Sequence, residues 1–346
     1  MTKRILITGG AGFVGSNFAR YLMDKYPGYE VAILDALTYA GSIENVPAEM
    51  FSNDHPQYSF WHGDVCNPEI VNALVGQADV VVHLAAETHV TRSIFDNRLF
   101  FETDVMGTQT VANAVQRANG RIDRFVHMST SEVYGTAVRE AIDEDHPLNP
   151  QSPYASAKCG ADRLVYSYMA TYAIPAVILR PFNIYGPRQH LEKVIPRFIT
   201  SVLEDEPLTV HGSGHAARDF VFVEDVCRAL DLLVHAPREA VCGEVFNAAS
   251  GQHRSINEIA ADVVELMHAG NEARVTHVVE RPGQVVRHTG DASKIQARLG
   301  WTPTVSWRSG LQRTIEWYRD NSAFWQRQLW LRQVPLNYTA GVTEYH

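Results

Sequence analysis

Residues 4–18, "RILITGGAGFVGSNF", decide how the rest of the chain is read. A short β-branched apolar run ends at Thr8, a glycine-rich turn follows, and from Asn17 the pattern changes to that of an amphipathic helix ("NFARYLMDKY"). Gly9, Gly12 and Gly15 occupy the turn, with Phe13 and Val14 between the last two. A turn between a first strand and a first helix needs residues without side chains where backbone N–H groups must approach a pyrophosphate. The helix N-terminus behind it then faces the phosphate charge. A glycine triplet also arises by chance in loops. Here it stands after a strand and before a helix, and Asp35 ends the second strand in "VAILDA". That carboxylate can accept from a ribose 2'-hydroxyl and would repel a 2'-phosphate, which favours NAD over NADP. Asp64 and Val65 of "HGDV" are then expected beside the adenine. Leu84, Ala85, Ala86 and Thr88 of "HLAAET" are expected along the middle of the cofactor.

The same alternation continues outward. "EVAILDA", "DVVVHLAA" and "RFVHMST" are apolar runs separated by helical patterns such as "EIVNALVG" and "GTQTVANAVQRA". This predicts an α/β protein with a Rossmann-type, doubly wound parallel sheet covered on both faces. After "PAVILRPFNIYGP" the segments become short strands and turns mixed with helices ("PLTVHGSG", "RDFVFVEDV", "INEIAADVVELMHA"). They are expected to form a smaller α/β substrate lobe against the carboxyl ends of the strands. The expected division is residues 1–180 for the NAD-binding domain and 181–346 mainly for the substrate lobe, with a soft boundary because the lobes interleave.

The totals narrow the classes of function. With 346 residues and 45% hydrophobic content the chain can bury a large core. Its net charge of -9 and pI near 5.9 argue against broad binding to nucleic acid or an anionic membrane. The start "MTKRILITGGAGF" has a basic head, but its glycines interrupt the apolar run early, so a first strand fits better than a signal peptide. No apolar stretch approaches the roughly 20 residues of a membrane span. Cys66, Cys159, Cys227 and Cys242 are scattered without metal-like spacing. They read as reduced thiols of a cytoplasmic protein, and no metal is expected. The tail "WYRDNSAFWQRQLWLRQVPLNYTAGVTEYH" carries three tryptophans. It reads as a docked helix followed by an ordered arm, or else as an oligomer contact.

Two further stretches carry chemistry. "HMSTSEVYG" (127–135) is a buried strand that emerges in Thr130, Ser131 and Glu132. "SPYASAK" places Tyr154 and Lys158 four residues apart at the start of a helix, on one face. An ammonium beside a phenol lowers its pKa from about 10, so that the tyrosine can act as a base toward a sugar hydroxyl. Taken alone, such a pair more often marks a solvated helix face. It gains weight from the hydroxyl-bearing strand end upstream and the cofactor loop on the same sheet, since ligands bind at the carboxyl ends of such strands.

The glycine loop, Thr130 and the Tyr154/Lys158 pair together resemble the extended short-chain dehydrogenase/reductase family. "LDALTYAGSIENV", "HLAAETHVTRSI", "GPRQHLEKVIPRFI" and "RPGQVVRHTGDASKI" are similar to segments of its nucleotide-sugar 4,6-dehydratase branch, the dTDP-glucose 4,6-dehydratases in particular. The resemblance implies tightly held NAD, a nucleotide-diphosphate sugar as substrate, and a homodimer formed through paired helices. It implies that Tyr154, helped by Lys158 and Thr130, deprotonates the sugar 4-hydroxyl, and that Glu132 removes the C5 proton. By the same resemblance Asn183 and Lys193 grip the sugar nucleotide, while Arg218, Asn247 and Arg281 hold nucleotide and diphosphate.

The chain departs from that pattern at Ser131, where the dTDP-glucose enzymes carry an Asp that protonates the departing 6-hydroxyl. It also has Thr91 for a usual Asp, Gln284 for a usual His and Asp104 for a usual Asn. Three readings of Ser131 follow. The first is a 4,6-dehydratase in which Glu132 serves as base and then acid, since the Thr-Ser-Glu trio is similar to that of GDP-mannose 4,6-dehydratases. The second is a UDP-glucuronate decarboxylase, whose family shows the same trio. The third is an epimerase at C4 or C5. Retention of Glu132 argues mildly against simple C4 epimerisation, which needs no C5 base. A non-enzymatic NAD-binding regulator is the reading that the presence of Thr130, Glu132, Tyr154 and Lys158 disfavours.

Overall fold

The computed structural model describes residues 2–118, 120–268, 274–279, 285, 287–332, 335–339 and 342–345. The apolar runs form β1 (Arg4–Thr8), β2 (Glu30–Asp35), β3 (Tyr58–His62), β4 (Val80–His83), β5 (Arg124–Met128) and β6 (Ala176–Pro181). Between them run α1 (Phe13–Lys25), α2 (Pro68–Val75), α3 (Val90–Phe95), α4 (Arg98–Phe100), α5 (Thr108–Arg117) and α6 (Pro153–Tyr172). A π-helical turn, Phe101–Gly107, joins α4 to α5.

A seventh strand, Val245–Ala248, completes an all-parallel sheet in the order Val245–Ala248, β6, β5, β4, β1, β2, β3. All carboxyl ends therefore lie on one edge, and the strand order reverses between β1 and β4, where an open α/β sheet has its ligand crevice. One face buries Ile5, Ile7, Val80 and Val126 against Phe18 and Leu22 of α1. The other buries Leu6, Val81 and Phe125 against Val71 of α2 and Val111 of α5. Burial on both faces is why these strands are continuously apolar rather than alternating.

The remainder of the chain builds a second layer and returns to the first. Ala217–Phe222 lies at the centre of a small sheet with His253–Ser255, Arg287–His288 and Asn183–Tyr185, and Leu208–His211 pairs with Val275–Val278. The helices Val194–Leu203, Ile256–Met267 and Trp307–Asp320 close over a core that includes Tyr185, Phe198, Ile259 and Leu311. The helix Val223–His235 packs on α1 and Val245–Ala248 pairs with β6, so the second half of the chain contributes to both layers. In the tail, Trp325 is buried in the small-lobe core, Trp317 packs at its edge, and Trp330 is exposed. Pro335–Thr339 and Val342–Tyr345 form an antiparallel hairpin. Among the described residues no helix is long and apolar enough to cross a membrane.

Candidate active site

A cavity of about 320 Å³ runs along the carboxyl edge of the sheet. One end is the glycine turn. Gly9 has φ +72°, and a Cβ there would lie 2.6 Å from the Ala85 nitrogen; a Cβ at Gly15 would lie 2.2 Å from the Gly9 carbonyl oxygen. The turn thus closes only on glycine at these two positions. Gly12 caps α1 without a side-chain hydrogen bond, which leaves the helix N-terminus open to the cavity. Asp35, mostly buried, accepts from the N–H groups of Leu37 (2.8 Å) and Ala11 (2.9 Å) and lines the same cavity. A bare helix end behind a Cβ-free cradle, with a carboxylate one strand away, fits a dinucleotide with a free ribose 2'-hydroxyl. Phe13, Val14, Asp64, Val65, Leu84, Ala85, Ala86 and Thr88 all line this cavity, as do Asn183 and Lys193.

The other end is built by β5 and α6. Ser129 N–H donates to Leu179 O in β6, and Thr130 Oγ1 then accepts the Glu132 N–H at 3.2 Å, capping a short turn over Ser131–Tyr134. Ser129, Thr130, Ser131 and Glu132 are thereby presented to the cavity together with Tyr154. Ser152 and Pro153 start α6, the Ser152 hydroxyl accepting the Ala155 N–H. Tyr154 and Lys158 are 8% and 4% exposed, which rules out a solvated face.

Their electrostatics differ from the expectation. Lys158 Nζ donates to the Met128 carbonyl at 2.9 Å, and burial lowers the ammonium's pKa while Asp104 and Asp162 hold it up. Burial pushes the Tyr154 phenol up, the Asp104 charge adds to this, and the Thr130 hydroxyl opposes it. Within the bare chain, then, Thr130 rather than Lys158 is the group that assists Tyr154, and a lowered phenol pKa depends on what is bound beside it. Ser131 is buried, its Oγ 3.5 Å from Nδ1 of His288, an imidazole that burial holds down to about 4 and therefore neutral.

The expected substrate contacts divide. Lys193 Nζ donates to Thr88 O at 2.9 Å at the cavity wall. Asn247 does not face the cavity. Its Nδ2 donates to Ile142 O (3.0 Å) and Asp291 O (3.2 Å), and its Oδ1 accepts the Tyr134 hydroxyl (2.8 Å), so both amide protons and the oxygen are engaged with the fold rather than the cavity. Arg218 is buried on its small-sheet strand, one guanidinium nitrogen donating to Ala217 O, and is not part of the cavity wall. Arg281 and Gln284 lie outside the described residues. Thr91 is buried on α3.

Several wall residues had no signal in the motif spacing. Thr38 and Gly41 come from the loop after β2, Glu87 from the loop after β4, and His190 from beyond the Tyr185 turn. Thr38 donates to Glu87 at 2.9 Å, tying two of these loops together. Behind His190, the fully buried Glu192 carboxylate is held well below its usual range, burial being outweighed by His89, Lys193 and His190. Only resemblance pointed to this wall, through the segments "LDALTYAGSIENV", "HLAAETHVTRSI" and "GPRQHLEKVIPRFI".

The model of the GDP-mannose 4,6-dehydratase family matches residues 6–314 of this chain. Among curated proteins, low-salt glycan biosynthesis protein Agl12 of Haloferax volcanii is 45% identical, over 91% of this chain and 98% of that protein. A dTDP-glucose 4,6-dehydratase of Streptomyces niveus is 41% identical, over 93% and 95% respectively. Among solved structures, DesIV, a dTDP-glucose 4,6-dehydratase from Streptomyces venezuelae crystallised with NAD, superposes with a TM-score of 0.87 at 38% identity. That match covers 94% of this chain and 99% of DesIV.

Proposed function

The chain belongs to the GDP-mannose 4,6-dehydratase family, and from that premise we propose that it is an NAD-dependent nucleotide-sugar 4,6-dehydratase. The observation that carries the reading is one continuous cavity with a dinucleotide cradle at Gly9–Gly15 and Asp35, and Thr130, Glu132 and Tyr154 at its other end. Bound NAD supplies oxidation at C4 of the sugar and, later, reduction at C6, so the net redox change is zero.

The chain's own residues move the protons. Tyr154 accepts the proton of the 4-hydroxyl while the Thr130 hydroxyl donates to the same oxygen. The resulting 4-keto sugar has an acidic C5 proton, which Glu132 takes. Glu132, now a carboxylic acid, returns that proton to the departing 6-hydroxyl, which leaves as water. Once C6 is reduced, C5 regains a proton, balanced by the one Tyr154 took from the 4-hydroxyl and releases. Ser131 is far too weak an acid for this step, so it hydrogen-bonds at the strand end and leaves Glu132 to serve twice. Asn183 and Lys193, at the wall, are the sugar-nucleotide contacts of this reading.

The paired-helix face supports a homodimer. Phe95, Phe101 and Met106 lie exposed on α3 and the π-helical turn, and Tyr166 and Tyr172 on α6 beside them. Such exposed apolar side chains clustered on one helical face suit a second copy of the chain. Four free cysteines and a nucleotide-sugar substrate support a cytoplasmic enzyme.

Mass spectrometry of products after incubation with dTDP-, UDP-, GDP- and CDP-hexoses and UDP-glucuronate tests the reading. Loss of one water from a hexose is the expected result. Loss of carbon dioxide would replace it with the decarboxylase, and an isomer of unchanged mass with an epimerase.

A further inference from the structure

The π-helical turn packs on α6, with Val105 against the cluster of Phe100, Tyr154 and Ala157, and it carries a carboxyl group that the reaction above does not use. Asp104 sits in the π-helical turn between α4 and α5 and is wholly buried. Its Oδ1 accepts the Glu87 N–H at 2.8 Å, whereas Oδ2 has no hydrogen-bond partner among the described residues. Such a group cannot swing out to water, because the turn is pinned from below. The Thr108 hydroxyl donates to Asp104 O at 2.5 Å, Thr108 Oγ1 is 3.0 Å from His83 Nε2, and His83 Nδ1 is 2.6 Å from Thr8 Oγ1. A buried carboxylate with an unpartnered oxygen is costly unless an opposite charge faces it or it takes up a proton.

We propose that Asp104 is a positioning residue for proton transfer, a titratable counter-charge that sets the protonation of Lys158 and Tyr154 together and so fixes the pH range in which the pair works. This rests on the assignment of Tyr154 as the base. The groups around Asp104 are Lys158 and Tyr154 from α6, Glu87 after β4, and Cys66 after β3, whose thiol is pushed up to about 12 by burial and by carboxylates that include Asp104. Beyond Lys158 lie His83 and His127, both kept neutral by burial, and Asp162, which Arg180 and Arg163 hold ionised against its own burial. Burial pushes Asp104 itself up to about 7, with Lys158 pulling the other way.

The sign follows from these couplings. The Asp104 charge raises both the Tyr154 phenol and the Lys158 ammonium. Tyr154 must lose its proton to act, which sets the acid limb of turnover; Lys158 must keep its own, which sets the alkaline limb. Asp104→Asn retains an oxygen for the Glu87 N–H and replaces the charged, unpartnered oxygen with a neutral amide NH2. Above about pH 7, where Asp104 carries its charge, the profile should then move to lower pH by about one unit, while below it, where Asp104 is already protonated, the two profiles should converge.

Two measurements on the NAD-loaded enzyme test this: turnover against pH, and infrared titration of buried carboxyl groups without substrate. The expected result is a protonated-carboxyl band that fades near neutral pH, is absent in Asp104→Asn, and shifts its midpoint upward in Lys158→Met. Superimposable pH profiles for the parent and Asp104→Asn would overturn the proposal. So would a carboxyl midpoint that Lys158→Met leaves unmoved, a comparison that needs no change at Asp104. If no sugar nucleotide is turned over, the infrared titration still judges Asp104, so failure of the functional reading is told apart from failure of this one.

Discussion

Replacing Asn247 by alanine tests whether this residue holds the fold or the substrate. Three side-chain hydrogen bonds would be lost, two to the carbonyls of Ile142 and Asp291 and one from the Tyr134 hydroxyl. The Tyr134 oxygen would still accept from Arg180 at 2.9 Å, but its proton would be left without an acceptor in a buried site. At about 1 kcal/mol per bond the loss comes to about 3 kcal/mol. Unfolding entropy of about 2.1 cal/mol/K per residue over the chain makes about 0.7 kcal/mol/K, so the melting temperature should fall by about 4 °C. The assay is a thermal melt at fixed NAD concentration, paired with steady-state kinetics. The expected outcome is a lowered melting temperature with KM for the nucleotide sugar changed by less than about twofold, since no interaction with the ligand is removed. An unchanged melt with KM raised about tenfold would refute the assignment and restore Asn247 to the substrate site.

Tyr154→Phe should lower kcat by at least about a hundredfold while NAD stays bound; unchanged turnover measured on the same preparation would remove Tyr154 as the base. Gly15→Ala puts a Cβ 2.2 Å from the Gly9 oxygen and 2.7 Å from the Gly10 Cα, both backbone atoms, so the cradle must open. NAD affinity measured by titration calorimetry should drop about tenfold or more, in line with overpacking costs of about 1–3 kcal/mol. Ser131→Asp supplies a second carboxylic acid at the strand end and should speed single-turnover water loss about tenfold; faster epimerisation without water loss would contradict the dehydratase. His83 and His288 are held down to about 3 and about 4 by burial, and His127 is held down too, so the unfolded chain binds their protons near pH 6.5 before the folded chain does. Asp104, raised to about 7, offsets one of these protons. The net two predict that urea-unfolding stability rises between about pH 5 and 6.5, by roughly 2–3 kcal/mol per pH unit; a flat profile would count against neutral burial of these rings.

Much of the site is written in short-range pattern. The glycine cradle, Asp35 at the end of β2, the Thr130–Glu132 strand end and the Tyr154/Lys158 helix start each occupy one turn or one strand. Their backbone requirements are local: a turn closed only by glycine, a strand end capped by a hydroxyl, a helix opened by Ser152 and Pro153. The parallel sheet was legible for the same reason, because strands covered on both faces read as unbroken apolar runs.

What the sequence left open depends on which distant groups meet. Asn247 reads equally as a ligand contact or a core residue until Val245–Ala248 is seen to join the sheet beside β6, which turns its amide toward Ile142, Asp291 and Tyr134. Arg180 in an apolar strand is intelligible only with Asp162 of α6 at 2.8 Å. Thr38, Glu87 and His190 become one wall only when three loops close. Asp104 differs from the usual Asn by a charge whose consequence depends on its burial in the π-helical turn near Lys158. Propensity and periodicity act over a few residues and therefore fixed the scaffold and the motif residues. A buried polar group is decided by its partner and its distance from water, and only the tertiary structure supplies both.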